Sequence, residues 1–575
     1  MGKPSPFVAK YTDLATLVDE ALAQHAKSRL FGVEEPSGFR WLRYEDVAVR
    51  AGRFERLLAK LGVGRGDVVA LVTANRPEWL AITHAAHRLG AIIVPMYEVQ
   101  QESEWRYILA DARAKVCFAP NDRVADTLRA MQLPTLEHVL GFDDDTGEGA
   151  SGEEPPRAAL AKDDLAILIY TSGTTGNPKG VELTHGALAN AACSLHEAIP
   201  FEAGGRTVSI LPWAHIGGVM ELFVSVLGGT TIAIAGGVER IVPTIQHTKP
   251  TRMVGVPRVW SRIHDGIQKK MLEAPGPVRS LFNAGLRASI ADREGRDISA
   301  IDRLSLSLAQ RFVFPKVREA FGGELRTAIS GAAALSVDVA KFLDAIGIEI
   351  LELYGMTETC ALATTNRPGK TRLGTVGQPL PGVEIRIDGH GEAGGEILVR
   401  TSSAMRGYRG LEGETRAVLD DGWVRTGDLG RLDPDDYLTI TGRVREVYKL
   451  ENGKFVAPAP IEEKLATSPY IAQAMIHGLN KPYNVALLVA DVAAIRGWCE
   501  ENGVRYDLRH AKVRSLLASE VSRLSSGFKA YERIERFHAV DEELSLANDM
   551  LTPTLKMKRR NVLAKWGRDL EALYE

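Results

Sequence analysis

The rhythm of apolar and polar positions changes twice along this chain, and each change predicts a different kind of structure. In "GDVVALVTANRPEWLAITHAAHRLGAIIVPMY" (66–97), a β-branched run, a helically spaced apolar stripe and a second β-branched run follow one another. That order predicts a strand–helix–strand unit and, with it, a largely parallel sheet. Similar apolar runs recur at "DLAILIY", "TTIAIAG", "TRMVGVP", "LRTAISG" and "IEILELYG". From Gly382 the texture shortens to "VEIRIDGHGEAGGEILVR" and "DYLTITGR", which predicts a β-rich subdomain. After Gly442 a helix at "APIEEKLATS", strands near "QAMIHGL" and "NVALLVA", and then long helices predict a small α+β unit. The expected fold class is therefore α/β: a large N-terminal α/β domain of several subdomains over 1–442, and a small α+β C-terminal domain over 443–575.

Two stretches invite other readings. The apolar "VSVLGGTTIAIAGGV" (224–238) is too short and too rich in Gly and Thr to span a bilayer, and reads as core strand and turn. The acidic "FDDDTGEGASGEEPPRA" (142–158) reads as a solvated loop. No fixed-period repeat is visible.

A length of 575 residues exceeds what one core supports, so two or more domains are expected. Net charge of -3 gives no ground for a nucleic-acid partner. Cys117, Cys193, Cys360 and Cys499 form no C-x-x-C pair and no metal-ligand spacing, which argues for a reducing compartment. The N-terminus lacks an apolar signal core, and Pro6 stands where a myristoylation motif needs Ser or Thr. A cytoplasmic protein is expected.

The candidate chemistry begins at "YTSGTTGNPKGVELTHG" (170–186), where glycines and small hydroxyl residues can converge on one anion and Lys179 adds a mobile charge. The flanking patterns predict a strand before this loop and a helix, "HGALANAACSLHEA", after it. Walker spacing needs G-x-x-x-x-G-K before Ser or Thr, whereas Lys179 lies between Pro178 and Gly180. Alone, the segment reads equally as a flexible turn. Further stretches accompany it: "SGAAAL", "YGMTET", "TGDLG" with "TGRVREVYK", and "TPTLKMKRR". Each has a bland reading, a solvated basic helix start for Lys556, a helix-terminal carboxylate for Glu358, a turn residue for Asp428 and a satisfied polar side chain for His215. Their joint order is what chance does not supply.

With these motifs in that order, the sequence resembles the adenylate-forming superfamily of acyl-CoA synthetases, peptide-synthetase adenylation domains and firefly luciferase over nearly its whole length. The resemblance implies a mobile C-terminal domain. It implies that Thr171, Ser172, Gly173, Thr174, Thr175, Gly176 and Lys179 hold the triphosphate of ATP. In "YGMTET", Tyr354 is implied to lie against adenine, with Gly355 and Met356 beside it and Gly331, Ala332 and Ala333 as the other wall. Thr357 is implied as a phosphate contact and Glu358 as the magnesium carboxylate, with Thr171 as its hydroxyl partner. Asp428 would accept the ribose hydroxyls beside Arg443. Arg445 takes the hinge position, with the planar head of arginine where the family often has lysine. Lys449 falls at a further nucleotide contact, and Lys556 bridges the carboxylate and the α-phosphate during adenylation.

"LPWAHIGGVMELF", "GVPRVWSRIHDGIQKKM" with the helical insertion after it, and "NGKFVAPAPIE" are similar to the long-chain fatty acyl-CoA synthetase branch. They imply an acyl pocket at His215, Gly217, Val219 and Val256, where Val219 replaces an aromatic gate of some relatives. Implied substrates are a fatty acid, ATP with Mg2+, and CoA. A fatty acyl-AMP ligase loading a carrier protein shares every nucleotide motif and stands as the alternative. Peripheral membrane association is compatible with either.

Overall fold

The computed structural model describes residues 7–36, 38–143, 154–171, 177–391, 394–545, 547–552 and 556–575. A seven-stranded sheet has the expected strand–helix–strand unit at its centre. Strands Val68–Val72 and Ile92–Met96 run parallel, Val69 facing Ile93, and helix Pro77–Arg88 joins them. Every residue of both strands is buried. A strand covered on both faces has no polar side to alternate with, hence the unbroken apolar runs in the sequence.

Strand Leu165–Thr171 extends this sheet, and strand Lys179–Thr184 returns antiparallel to it with Thr171 opposite Lys179. This corrects the expected strand–loop–helix order. A second strand follows the first, and helix His185–Ala198 starts only after it. In "KGVELT", Val181 and Leu183 are buried while Lys179, Glu182 and Thr184 are not. The alternation is too short to announce itself, and pairing with its neighbour makes the segment a strand. The helix is capped by Thr184, whose hydroxyl accepts the amide of Ala187 at 3.2 Å, so its positive end is spent away from the loop.

The runs at "TRMVGVP", "LRTAISG" and "IEILELYG" form the parallel strands Arg252–Gly255, Thr327–Ser330 and Glu349–Tyr354. Their C-terminal ends share one edge of a five-stranded sheet, which brings Val256, Gly331 and Gly355 close together. Next to it lies the β-rich sheet, where Val383–Gly391, Gly394–Thr401, Trp423–Leu432 and Leu438–Arg443 pair antiparallel in sequence. The stretch 224–238 is only half as expected. "VSVL" closes helix Ile216–Leu227, and only Thr231–Ile234 is strand. A short apolar run does not distinguish buried helix from buried strand, and here Val224 and Val226 point into the largest core. The insertion folds as helices Pro257–Glu273, Gly276–Arg293 and Ala300–Phe312.

Residues 444–447 connect the last strand of the β-rich sheet to a small hairpin, Tyr448–Lys449 with Phe455–Val456. Beyond it, strands Ile471–His477, Asn484–Ala490 and Ile534–Val540 form a three-stranded sheet packed by helices Ala511–Ser525 and Arg559–Glu571. The third strand was absent from the sequence reading because "IERFHAV" keeps no fully apolar face. Exposed ion pairs link the C-terminal unit to the rest: Lys464 with Asp338 at 2.5 Å and Arg258 with Glu543 at 2.8 Å. Such pairs contribute about 0–1 kcal/mol each, a weak bond for a whole domain. No described helix is long and apolar enough to cross a membrane.

Three histidines are buried behind the hairpin. His87 and His185 meet edge-on at 4.7 Å between ring centroids, and His84 Nε2 donates to Asp19 Oδ1 at 3.0 Å. Burial lowers all three, and His185 falls to about 4. Unfolding restores an ordinary value near 6.5, so between those limits the unfolded chain binds more protons. The stability that neutral His185 contributes is complete above pH 6.5 and is lost as pH falls toward 4. At pH 5 this loss amounts to about 2 kcal/mol. Urea denaturation should show the midpoint falling from pH 7 to pH 5, and His185→Asn should flatten that slope; an unchanged slope would exclude His185 as a source.

Candidate active site

The edge formed by the parallel strands faces the β-rich sheet, and Asp428 sits where they meet. It lies in strand Trp423–Leu432, buried, directly opposite Arg443 in the adjoining strand. The Arg443 guanidinium reaches Oδ1 at 3.0 Å, and the hydroxyl of Tyr354, at the end of its own strand, donates to Oδ2 at 2.8 Å. Burial raises the Asp428 carboxyl, and the charge of Arg443 and the Tyr354 hydrogen bond oppose that rise. Each carboxylate oxygen carries more than one acceptor direction, so both retain capacity for a diol.

Gly355 follows Tyr354, and a Cβ there would lie 2.1 Å from the carbonyl oxygen of Ala361. Only glycine allows this turn, which lays Met356, Thr357 and Glu358 along the floor of the cleft. Thr357 and Glu358 occupy a single 3-10 turn and are buried. Opposite, Gly331, Ala332 and Ala333 leave strand Thr327–Ser330 in a loop where Ala332 holds a left-handed backbone, φ 71°. That conformation is strained for alanine, and both alanines are exposed.

From the hairpin, Thr171 is half-buried at the end of its strand, and Lys179 pairs with Glu414 at 2.5 Å. Ser172, Gly173, Thr174, Thr175 and Gly176 lie outside the described residues. The acidic side chains near this floor do not form a protein cage: among the described residues no group of three or more His, Cys, Asp or Glu could hold a metal. One carboxylate, Glu358, together with hydroxyls fits a magnesium ion that arrives on a triphosphate and draws its other ligands from phosphate and water.

The C-terminal unit reaches the same cleft. Lys556 keeps accessible surface at the side of this unit that faces Arg443 and Asp428. Burial and then the charge of Arg443 lower its ammonium, while Asp428 and Glu358 act in the opposite direction. His215 also feels Lys556: burial first and that charge second lower the imidazole to about 4, so it is neutral at pH 7. His215 caps helix Ile216–Leu227 and accepts the amide of Gly217 at 3.1 Å. Lys556, Asp428, Glu358 and His215 thus share one electrostatic environment although they come from four separate parts of the chain.

Other expected residues lie farther from this centre. Val219 is completely buried in the largest core and presents no accessible surface. Val256 is half-buried at the start of helix Pro257–Glu273. Arg445 is exposed in the connector, and its charge acts on Tyr408 and Glu414. Lys449 is exposed and lies over the ring of Phe455, 5.8 Å from its centroid, within its own hairpin. The sequence reading missed Tyr408, whose hydroxyl donates to Glu358 Oε1 at 2.6 Å, and Glu414. It also missed Glu463, raised to about 8 by burial and by Glu462, which accepts the backbone amide of Ala334 across the two units. None of these three belongs to a periodic pattern that would have singled it out.

Known proteins share this arrangement. The AMP-binding enzyme family matches residues 18–409, and the AMP-binding enzyme C-terminal domain matches 446–575. The long-chain-fatty-acid–CoA ligase FadD15 of Mycobacterium tuberculosis is 33% identical over 90% of this chain and 89% of its own length. Long chain acyl-CoA synthetase 3 of Arabidopsis thaliana is 28% identical over 93% of this chain and 87% of its own. Among solved structures, the anthranilate CoA ligase AuaEII in complex with anthranoyl-AMP superposes with a TM-score of 0.74 at 21% identity, over 97% of this chain and 98% of that one. With both domains matched and relatives of this kind over most of its length, the chain belongs to the AMP-binding enzyme family, in its long-chain acyl-CoA synthetase branch.

Proposed function

We propose that this protein joins a medium- to long-chain fatty acid to CoA through an acyl-AMP intermediate. The observation that carries the reading is that Lys556, from the C-terminal unit, shares its electrostatic surroundings with Asp428, Glu358 and His215 of the N-terminal part. In the first half-reaction a fatty carboxylate oxygen bonds to the α-phosphorus of ATP, and the bond from that phosphorus to the bridging oxygen breaks to release pyrophosphate. Two anions must approach, and Lys556 between them offsets their repulsion. Asp428 and Arg443 hold the ribose, Tyr354 and the loop of Gly331, Ala332 and Ala333 enclose the base, and Lys179 with the Thr- and Gly-rich loop takes the leaving phosphates. Magnesium, when bound, supplies positive charge to the phosphates, with Glu358, Thr171 and Thr357 as its protein partners or neighbours. Neutral His215 adds no competing charge where the apolar acid enters. In the second half-reaction the CoA sulfur bonds to the acyl carbon, its proton goes to solvent, and AMP leaves. The exposed ion pairs between the units favour a C-terminal domain that can turn about 444–447 and withdraw Lys556 for this step. A cytoplasmic setting accords with four free thiols, and the apolar substrate with peripheral contact to membranes.

Lys556→Ala should slow acyl-AMP formation by roughly a hundredfold, about 3 kcal/mol, and leave thioester formation from supplied acyl-AMP nearly intact. Separate assays of pyrophosphate exchange and of acyl-AMP conversion check this, and equal losses in both would refute the role. Each buried methylene should contribute up to about 0.8 kcal/mol, so kcat/KM should climb from hexanoate to dodecanoate and then level off where the pocket ends. Better turnover of acetate than of dodecanoate would exclude a long apolar substrate. Acyl-AMP that a carrier-protein pantetheine captures and CoA does not would identify the carrier-loading alternative.

A further inference from the structure

The segment linking the β-rich sheet to the phosphate-loop hairpin touches both halves of the triphosphate site, and no motif had drawn attention to it. Gly407–Tyr408 pairs antiparallel with strand Lys179–Thr184, Tyr408 opposite Val181. The amides of Arg406 and Arg409 donate to the carbonyls of Glu182 and Gly180 at 2.9 and 2.8 Å, so the segment is stitched along the edge of that strand. On its other side it grips Glu358 twice. The amide of Met405 donates to the Glu358 carbonyl at 2.8 Å, and the Tyr408 hydroxyl donates to Glu358 Oε1 at 2.6 Å. Tyr408 and Glu358 are each 8% exposed. The Tyr408 amide in turn donates to the Thr415 hydroxyl at 2.9 Å, and the Lys179 ammonium lies 5.1 Å from the centroid of the tyrosine ring.

A short hydrogen bond to a buried carboxylate fixes the rotamer of that carboxylate more firmly than a neutral contact would. The ring beneath Lys179 offers its negative face to the same lysine. One side chain therefore sets the distance between the cation of the phosphate loop and the acid on the cleft floor. We propose that Tyr408 is a positioning residue for the metal–triphosphate complex: its hydroxyl aims the Glu358 carboxylate, and its ring seats Lys179. This rests on the reading of Glu358 as the magnesium carboxylate. Tyr408 does not touch the reacting atoms and acts only through Glu358 and Lys179.

Tyr408→Phe separates the two contributions, because the ring stays and only the hydroxyl is lost. The metal concentration that half-saturates pyrophosphate exchange should rise roughly tenfold, the lower end of what a charge-assisted hydrogen bond is worth. The KM for dodecanoate and the thermal midpoint should stay as in the unaltered protein. Binding of Mn2+ to the full-length protein with a non-hydrolysable ATP analogue, followed by electron paramagnetic resonance, should weaken by a similar factor without any turnover. Unchanged metal dependence and Mn2+ affinity in Tyr408→Phe would overturn the inference. So would a variant that loses thermal stability and raises the dodecanoate KM along with the metal requirement, which marks a structural role alone. Glu358→Gln, measured in parallel, distinguishes the two levels: a metal response that survives in Glu358→Gln refutes the assignment of Glu358 itself.

Discussion

A single buried carboxylate joins the parts of this molecule that must meet for it to work. Asp428 belongs to the β-rich sheet, Tyr354 ends a strand of the parallel sheet, and Arg443 is the last residue before the connector. Burying a carboxylate is costly unless its charge and its acceptor directions are answered. Here the answer comes from two neighbours at once, which commits both sheets to one relative position. The apolar cluster around the trio, with Val376, Ile397, Val399, Val424 and Leu438, makes that position rigid on the protein side of the cleft.

The contrast with the opposite wall is one of energy. The N-terminal part is bound together by extended apolar cores, whereas the contacts of the C-terminal unit with it include exposed ion pairs that contribute little each and the Glu463–Ala334 hydrogen bond. Lys556 belongs to the C-terminal unit, and its lowered ammonium reflects the desolvated, partly cationic place it occupies.

Much of this was legible in the chain. Helix His185–Ala198 matches its sequence expectation residue for residue, because its apolar spacing and the capping Thr184 act locally. The unit around Val68–Val72 and Ile92–Met96 was equally plain, since strands buried on both faces leave an apolar run that needs no context. Strand Lys179–Thr184 and the end of helix Ile216–Leu227 were not, because six mixed residues and the short run "VSVL" take their conformation from what they pack against.

For the site, the sequence by itself determined the chemical inventory: a Gly- and Thr-rich loop with Lys179, an acid in "YGMTET", an acid in "TGDLG", and a lysine near the C-terminus. Residue type carries charge and donor count wherever the chain goes, and so this inventory is legible without the fold. What only the tertiary structure decided is which of them share a field. Tyr408 and Glu358 are fifty positions apart and meet at 2.6 Å. Glu463 reaches Ala334, and the charge of Lys556 acts on Asp428, across a domain boundary. Contacts of that kind depend on sheet order and on the docking of whole units, and no local pattern of side chains encodes them.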